Sequence, residues 1–150
     1  AGNSAGITDG AAAMVLMAES RARAEGREPL ARIAGISWAG VPPEIMGIGP
    51  VPATKKVLER TGLSLADIDL IEINEAFAAQ VLACERELKF DRDRLNLLGG
   101  GISLGHPIGM SGARILLSLA YLMRAREVSL GLATLCISGG QGLAVVLERT

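Results

Sequence analysis

Apolar and polar positions along this chain fall into short apolar runs separated by amphipathic stretches and glycine-rich punctuation. After Asp9-Gly10, the run Ala11 to Met17 reads as a buried strand. Glu19 to Gly26 is short and charged, and predicts a helix that stops near Gly26 and Pro29. Leu30 to Trp38 predicts a second strand. Gly40 to Pro52 holds four of the six prolines and three glycines, so it reads as a loop, long enough to be a functional one. Pro52 to Gly62 predicts a helix, with proline in the first turn and glycine just past the end. Val57 and Leu58 face inward there, and Lys55, Lys56, Glu59 and Arg60 face out. Ser64 or Asp67 opens a turn, Leu70 to Ile73 is a strand, and Glu75 to Leu88 is a helix with Phe77, Val81, Cys84 and Leu88 along one face. A long helix runs from Ser111 to about Arg126. Leu132 to Ile137 and Leu143 to Leu147 form a hairpin across Gly139-Gly140. Strands alternate with helices and are apolar on both faces, which is the pattern of a layered α/β fold.

Composition adds one expectation and removes several. The chain has 150 residues, enough for one domain with a core of its own. Hydrophobic residues make up 49% and mean hydropathy is +0.36, so surface covered by a partner subunit or a further domain is expected. No apolar run is long enough to span a bilayer. The chain starts at Ala1 without Met and without a signal-peptide layout, which reads as a fragment or a processed chain. A net charge of -1 and 3% aromatics argue against nucleic acid and anionic membranes as partners. Two cysteines make no disulfide framework, so a reduced, cytoplasmic setting is expected.

The candidate chemistry centres on the single histidine. His106 sits in Gly105-His106-Pro107, inside the glycine-dense run from Gly99 to Gly109. So little side-chain bulk around an imidazole favours a site over a packed core. Cys136 ends a strand and enters Ser138-Gly139-Gly140, where a thiol is expected to stay accessible. Both groups move protons near neutral pH, since free His titrates near ~6.5 and free Cys near ~8.5. Asn74, in Asn74-Glu75-Ala76-Phe77-Ala78, stands at a strand-to-helix junction, where it either caps the helix or orients a water or a substrate oxygen. Cys84, on an apolar helix face, is expected to be inert core. Arg21, Arg23, Arg27 and Arg32 read as a solvated face rather than a phosphate site. Met46 and Phe77 fit either core or pocket lining. The glycine run lacks the dinucleotide-binding spacing, no P-loop lysine follows it, and one His with two distant Cys gives no zinc spacing.

Five motifs stand in the order found in thiolases: Gly2-Asn3-Ser4-Ala5-Gly6-Ile7-Thr8-Asp9-Gly10, Met46-Gly47-Ile48-Gly49-Pro50, Asn74-Glu75-Ala76-Phe77-Ala78, Gly105-His106-Pro107 and Cys136-Ile137-Ser138-Gly139-Gly140-Gln141-Gly142. Across residues 1–150 the chain resembles the C-terminal domain of that family, the acetyl-CoA acetyltransferases and 3-ketoacyl-CoA thiolases. The resemblance implies a thiolase-like layered α/β fold, a mixed sheet with helices on both faces. It implies Claisen condensation of acyl-CoA, or its thiolytic reversal, with coenzyme A thioesters as substrates and no cofactor or metal.

In the family an N-terminal domain, absent from this chain, carries the nucleophilic cysteine, so the chain alone is expected to be inactive. The resemblance assigns His106 to activating that cysteine and binding the thioester oxygen, and Asn74 to holding a water beside it. Cys136 would move the α-proton, and the Ser138 backbone N–H would serve a second oxyanion hole. Ser4 and Ala5 would approach the pantetheine arm, and Met46 and Phe77 the acyl pocket. The N-terminal domain, acyl-CoA and CoA, and a second subunit in a dimer or tetramer are the implied partners.

Ser138 stands where the family usually has Gly, which would be strained at positive φ. Leu98 stands where Asn commonly precedes the glycine pair, so one polar contact near the histidine loop is expected to be missing. Two other readings remain: a non-catalytic module of the same fold that binds acyl-CoA or a protein, and an α/β dimerisation domain whose glycines serve only turns.

Overall fold

The structure is a computed structural model that describes residues 2–150. Four strands form one mixed sheet: β1 (Arg32–Gly40), β2 (Leu70–Ile73), β3 (Leu130–Ile137) and β4 (Gln141–Glu148), in the order β1-β4-β3-β2. β4 pairs antiparallel with β1 and β3, and β2 pairs parallel with β3. The helices are α1 (Glu19–Ala24), α2 (Pro50–Thr61), α3 (Ala78–Leu88), the single turn α4 (Gly101–Leu104) and α5 (Ile108–Arg126).

Alternation along the strands sorts the core into two layers. Ile71, Ile73, Leu132, Ala144 and Val146 face Val57 and Leu58 of α2 and Cys84 of α3. Leu70, Ala133, Val145 and Leu147 face Ile115, Leu119 and Met123 of α5. Helices therefore cover both faces of a mixed sheet, as expected. No helix among the described residues is long and apolar enough to cross a membrane.

The punctuation residues act as their chemistry dictates. Gly62 closes α2 at φ +69°, its N–H donating to the carbonyl of Glu59. Gly139 and Gly140 turn the β3–β4 hairpin at φ +84° and +86°. A β-carbon on Gly140 would also collide with the backbone of Val41 and Pro43, whose loop packs on the hairpin.

Several boundaries differ from the sequence reading. Ala11 to Met17 is not a strand: it carries no ladder, and Val15 and Leu16 lie mostly exposed. Its apolar composition marks surface without naming a partner strand, and the described residues offer none. The Gly40 to Pro52 loop holds a 3-10 turn, Pro43–Ile48, and α2 starts inside it at Pro50. β1 runs from Arg32 to Gly40, two residues later than the pattern predicts. α3 begins at Ala78 rather than Glu75, because the residues before it pair with another segment. α5 begins at Ile108, absorbing Gly109 and Gly112 into its first turns.

Candidate active site

The site is built at the carboxyl ends of parallel β2 and β3, where β3 runs on three residues beyond its last pair with β2. Past the last paired residue of β2, the Asn74 N–H donates to the Thr134 carbonyl at 3.0 Å. Asn74 is thus fully buried beside β3, two residues before Cys136. Open carboxyl ends of this kind are where α/β sheets bind ligands.

The far edge of β2 is held by Asn96. Its N–H donates to the Ile71 carbonyl at 2.9 Å, its Oδ1 accepts the Ile73 N–H at 2.9 Å, and its Nδ2 donates to the Ile73 carbonyl at 2.9 Å. The same Nδ2 lies 3.0 Å from Glu75 Oε1, and Glu75 Oε2 accepts the Ile102 N–H at 3.1 Å. Glu75 therefore ties the strand end to the glycine run, where a β-carbon on Gly100 would strike its carboxylate.

α4 and Gly105, at φ +94°, then deliver His106. The His106 N–H donates to the Gly6 carbonyl at 2.9 Å. Its Nε2 lies 3.4 Å from Asn74 Nδ2, and its Nδ1 lies 2.6 Å from the Ser111 hydroxyl. The Ser111 hydroxyl donates to the Pro107 carbonyl at 3.0 Å. Burial, and then the nearby Arg114 guanidinium, hold the His106 pKa below its ordinary 6.5, so the neutral imidazole is favoured.

Segment Asn3–Gly6 adjoins this loop through the Gly6 carbonyl. Ser4 and Phe77 form an antiparallel bridge, with Ala5 N–H donating to Ala76 O at 3.0 Å and Ala78 N–H to Asn3 O at 2.8 Å. Asn74 thus meets His106 directly, while Ser4, Ala5 and Phe77 sit together on the two segments that lead to Gly6 and from Asn74. Met46 is half-buried in the Pro43–Ile48 turn, which packs on α3 and β3.

Cys136 differs from expectation in its exposure. It is buried, on a strand against which the Pro43–Ile48 turn packs, and burial pushes its thiol above the ordinary 9.0. No hydrogen bond joins it to His106 or Asn74 among the described residues. Cys84 is core as expected: burial pushes its pKa up to about 11, with Gln80 pulling down and Cys136 adding to the rise. Ser138 is exposed and lies outside the positive-φ set, so its side chain brings no backbone strain. Leu98 is 59% exposed, and the polar ties of this loop come from Asn96 and Glu75.

The sequence reading missed Ser111, Glu75, Asn96, Glu72 and Arg114. Glu72 is 1% exposed on the α5 side of β2, and its carboxyl is raised to about 7 by burial, against the pull of Arg114 and with a push from Glu75. The three Arg114 side-chain nitrogens are buried without hydrogen bonds. Only Ser111 carried a local signal, five residues past His106 in a helix that starts at once. Among the described residues no group of three His, Cys, Asp or Glu could hold a metal ion. A cleft of about 790 Å³, lined by Val15, Leu16, Met17, Arg32, Glu148 and Arg149, lies at the opposite end of the sheet.

The chain is similar to known proteins. Residues 27–149 match the family described as "Thiolase, C-terminal domain". The chain is 63% identical to an acetyl-CoA acetyltransferase of Escherichia coli over 99% of its own length and 38% of that protein's. It is 54% identical to a 3-ketoacyl-CoA thiolase of Colwellia psychrerythraea, covering 39% of it. It superposes on human mitochondrial 3-ketoacyl-CoA thiolase in complex with CoA with a TM-score of 0.97 and 48% identity, over 99% of this chain and 38% of that one. The chain thus spans about two-fifths of the length of these relatives, and it belongs to the thiolase family, as a thiolase C-terminal domain.

Proposed function

We propose that this chain supplies the acid–base side of an acyl-CoA C-acyltransferase, working on coenzyme A thioesters without a cofactor. The observation that carries the reading is the Asn74–His106–Ser111 chain of contacts at the carboxyl ends of β2 and β3. A neutral imidazole with one nitrogen directed toward a buried amide is a competent base for a thiol. His106 activates a cysteine supplied by the part of the relatives that this chain does not cover, and then donates to the thioester oxygen. Asn74 orients a water at the same oxygen. Donors aimed at a developing oxyanion are worth about 10²–10³ in rate each.

Cys136 handles the α-proton. In thiolysis the bond between the α- and β-carbons breaks, and the α-carbon takes the proton from the Cys136 thiol. Condensation runs the same transfer in reverse. The raised Cys136 pKa keeps that proton in place at neutral pH. The Ser138 N–H serves the second oxyanion hole, Ser4 and Ala5 line the pantetheine path, and Met46 and Phe77 line the acyl end. An N-terminal thiolase domain and a second subunit complete the assembly in the cytoplasm, and the exposed apolar residues Val15, Leu16 and Trp38 are surface for such partners.

The test grafts this chain in place of the matching part of the Escherichia coli relative. The 150-residue chain alone is expected to show no thiolysis of acetoacetyl-CoA, and the graft is expected to restore it. A folded graft that binds CoA but never turns over would favour the non-catalytic module instead.

A further inference from the structure

The proton arrangement on His106 follows from what it meets at Nδ1. Ser111 is fully buried in the first turn of α5, and its hydroxyl has one proton to give. That proton goes to the Pro107 carbonyl, 3.0 Å away, which can only accept. The Ser111 oxygen, 2.6 Å from Nδ1, is left to accept. Nδ1 then carries the hydrogen, and Nε2 carries the lone pair. At 3.4 Å from Nε2 stands Asn74 Nδ2, which can only donate. The three groups form one consistent sequence: Asn74 N–H to Nε2, Nδ1–H to Ser111 Oγ, Ser111 O–H to Pro107 O.

The reverse sequence has Ser111 donating to Nδ1 and Nε2–H donating to Asn74 Oδ1. It requires the Asn74 amide turned over and gives up the Ser111 bond to Pro107. Placement favours the neutral ring as well. His106 immediately precedes the N-cap residue Pro107, so the positive end of α5 opposes an imidazolium.

We propose that Ser111 is a positioning residue that locks His106 in the Nδ1–H tautomer, making Nε2 the basic atom of the site. The proposal deepens the reading of His106 as the activator of a cysteine thiol. In that step the S–H bond breaks, the proton and Nε2 form a new N–H, and the sulfur keeps the electron pair as thiolate. Nδ1–H stays on Ser111 throughout. To reach Nε2 the thiol displaces the Asn74 N–H, which holds that lone pair only at 3.4 Å, and the new Nε2–H then points at the thioester oxygen, while Ser111 keeps its orientation throughout.

His106 is the single histidine of the chain, so its ring nitrogens can be read without assignment ambiguity. The experiment is a long-range proton–nitrogen correlation on the untagged 150-residue protein, above the pH at which the ring is neutral. The expected result is a protonated Nδ1 and an unprotonated Nε2. In Ser111→Ala the hydrogen is expected to shift to Nε2, the nitrogen that free histidine prefers. Ser111→Thr is expected to keep it on Nδ1, since a helical threonine can donate to the same carbonyl four residues back. A wild-type ring protonated at Nε2 overturns the proposal, as does a folded Ser111→Ala protein that keeps Nδ1–H. If a variant does not fold, the wild-type spectrum decides alone. None of these readings depends on turnover, so they stand apart from the outcome of the graft assay.

Discussion

The Asn96 side chain hydrogen-bonds both backbone groups of Ile73, accepting its N–H and donating to its carbonyl at 2.9 Å each. An amide side chain here does what a neighbouring strand would do. It satisfies the exposed edge of β2 at the residue before Asn74. Asn96→Ala removes both bonds and leaves two buried backbone groups unpaired, at a cost of about 2–4 kcal/mol. Urea unfolding of the two proteins measures this. An unchanged midpoint would mean that another group takes over the edge.

Gly100 and Glu75 are expected to behave as one unit. Gly100→Ala drives a methyl into the Glu75 carboxylate, at about 1–3 kcal/mol. In a Glu75→Ala background the same change is expected to cost little, because the obstacle is gone. Additive losses in the double-mutant cycle would refute the steric account.

Glu72 sets a pH dependence. Its carboxyl titrates at about 7 in the fold against an ordinary 4.5, raised by burial, with Arg114 of α5 opposing and Glu75 adding to the rise. Between these values the folded state holds a proton that the unfolded chain has lost. Stability from this group is therefore complete below about 4.5 and falls as pH rises through 7, by at most about 3 kcal/mol. Glu72→Gln is expected to flatten that decline and to exceed the wild type in stability at pH 8, read from melting curves at several pH values. A variant less stable than wild type at pH 8 would mean that the attraction of Arg114 outweighs burial.

His106 and Cys136 are expected to fail at different steps of the grafted enzyme. Cys136→Ala should lose steady-state turnover by about 10² or more yet keep the acyl-enzyme burst. His106→Ala should lose the burst as well, since both the base and an oxyanion donor disappear. Rapid-quench measurement of the burst separates them. A burst lost in Cys136→Ala and kept in His106→Ala would reverse the two roles.

Much of the fold was legible because glycine and proline mark it locally. Gly62 ends α2 and Gly139-Gly140 turns the hairpin where the pattern puts them. Ala11 to Met17 was misread because an apolar run reports that surface is to be covered, not whether a strand is available to pair with it. Asn74 and His106 stood out through their glycine-rich or junction setting. Glu75, Asn96 and Arg114 did not, since the first two act through contacts across 21 residues or more of chain and Arg114 acts on Glu72 from another element, and nothing in their own neighbourhoods announces this. Cys136 looked accessible because glycine loops usually are, whereas the turn Pro43–Ile48 packs against its strand from far along the chain.

The two thiols also give the molecule a built-in depth gauge. Cys136 and Cys84 are its only cysteines, both buried and both held in the protonated form that alkylating reagents attack poorly. Their labelling rates will therefore report how often the surrounding protein opens. Cys136, at the hairpin end and 9% exposed, is released by a local breath of one turn, while Cys84, at 0%, waits for α3 to lift from the sheet. Reagent uptake at two rates would time the opening of the hairpin end of the sheet separately from the opening of the core beneath it.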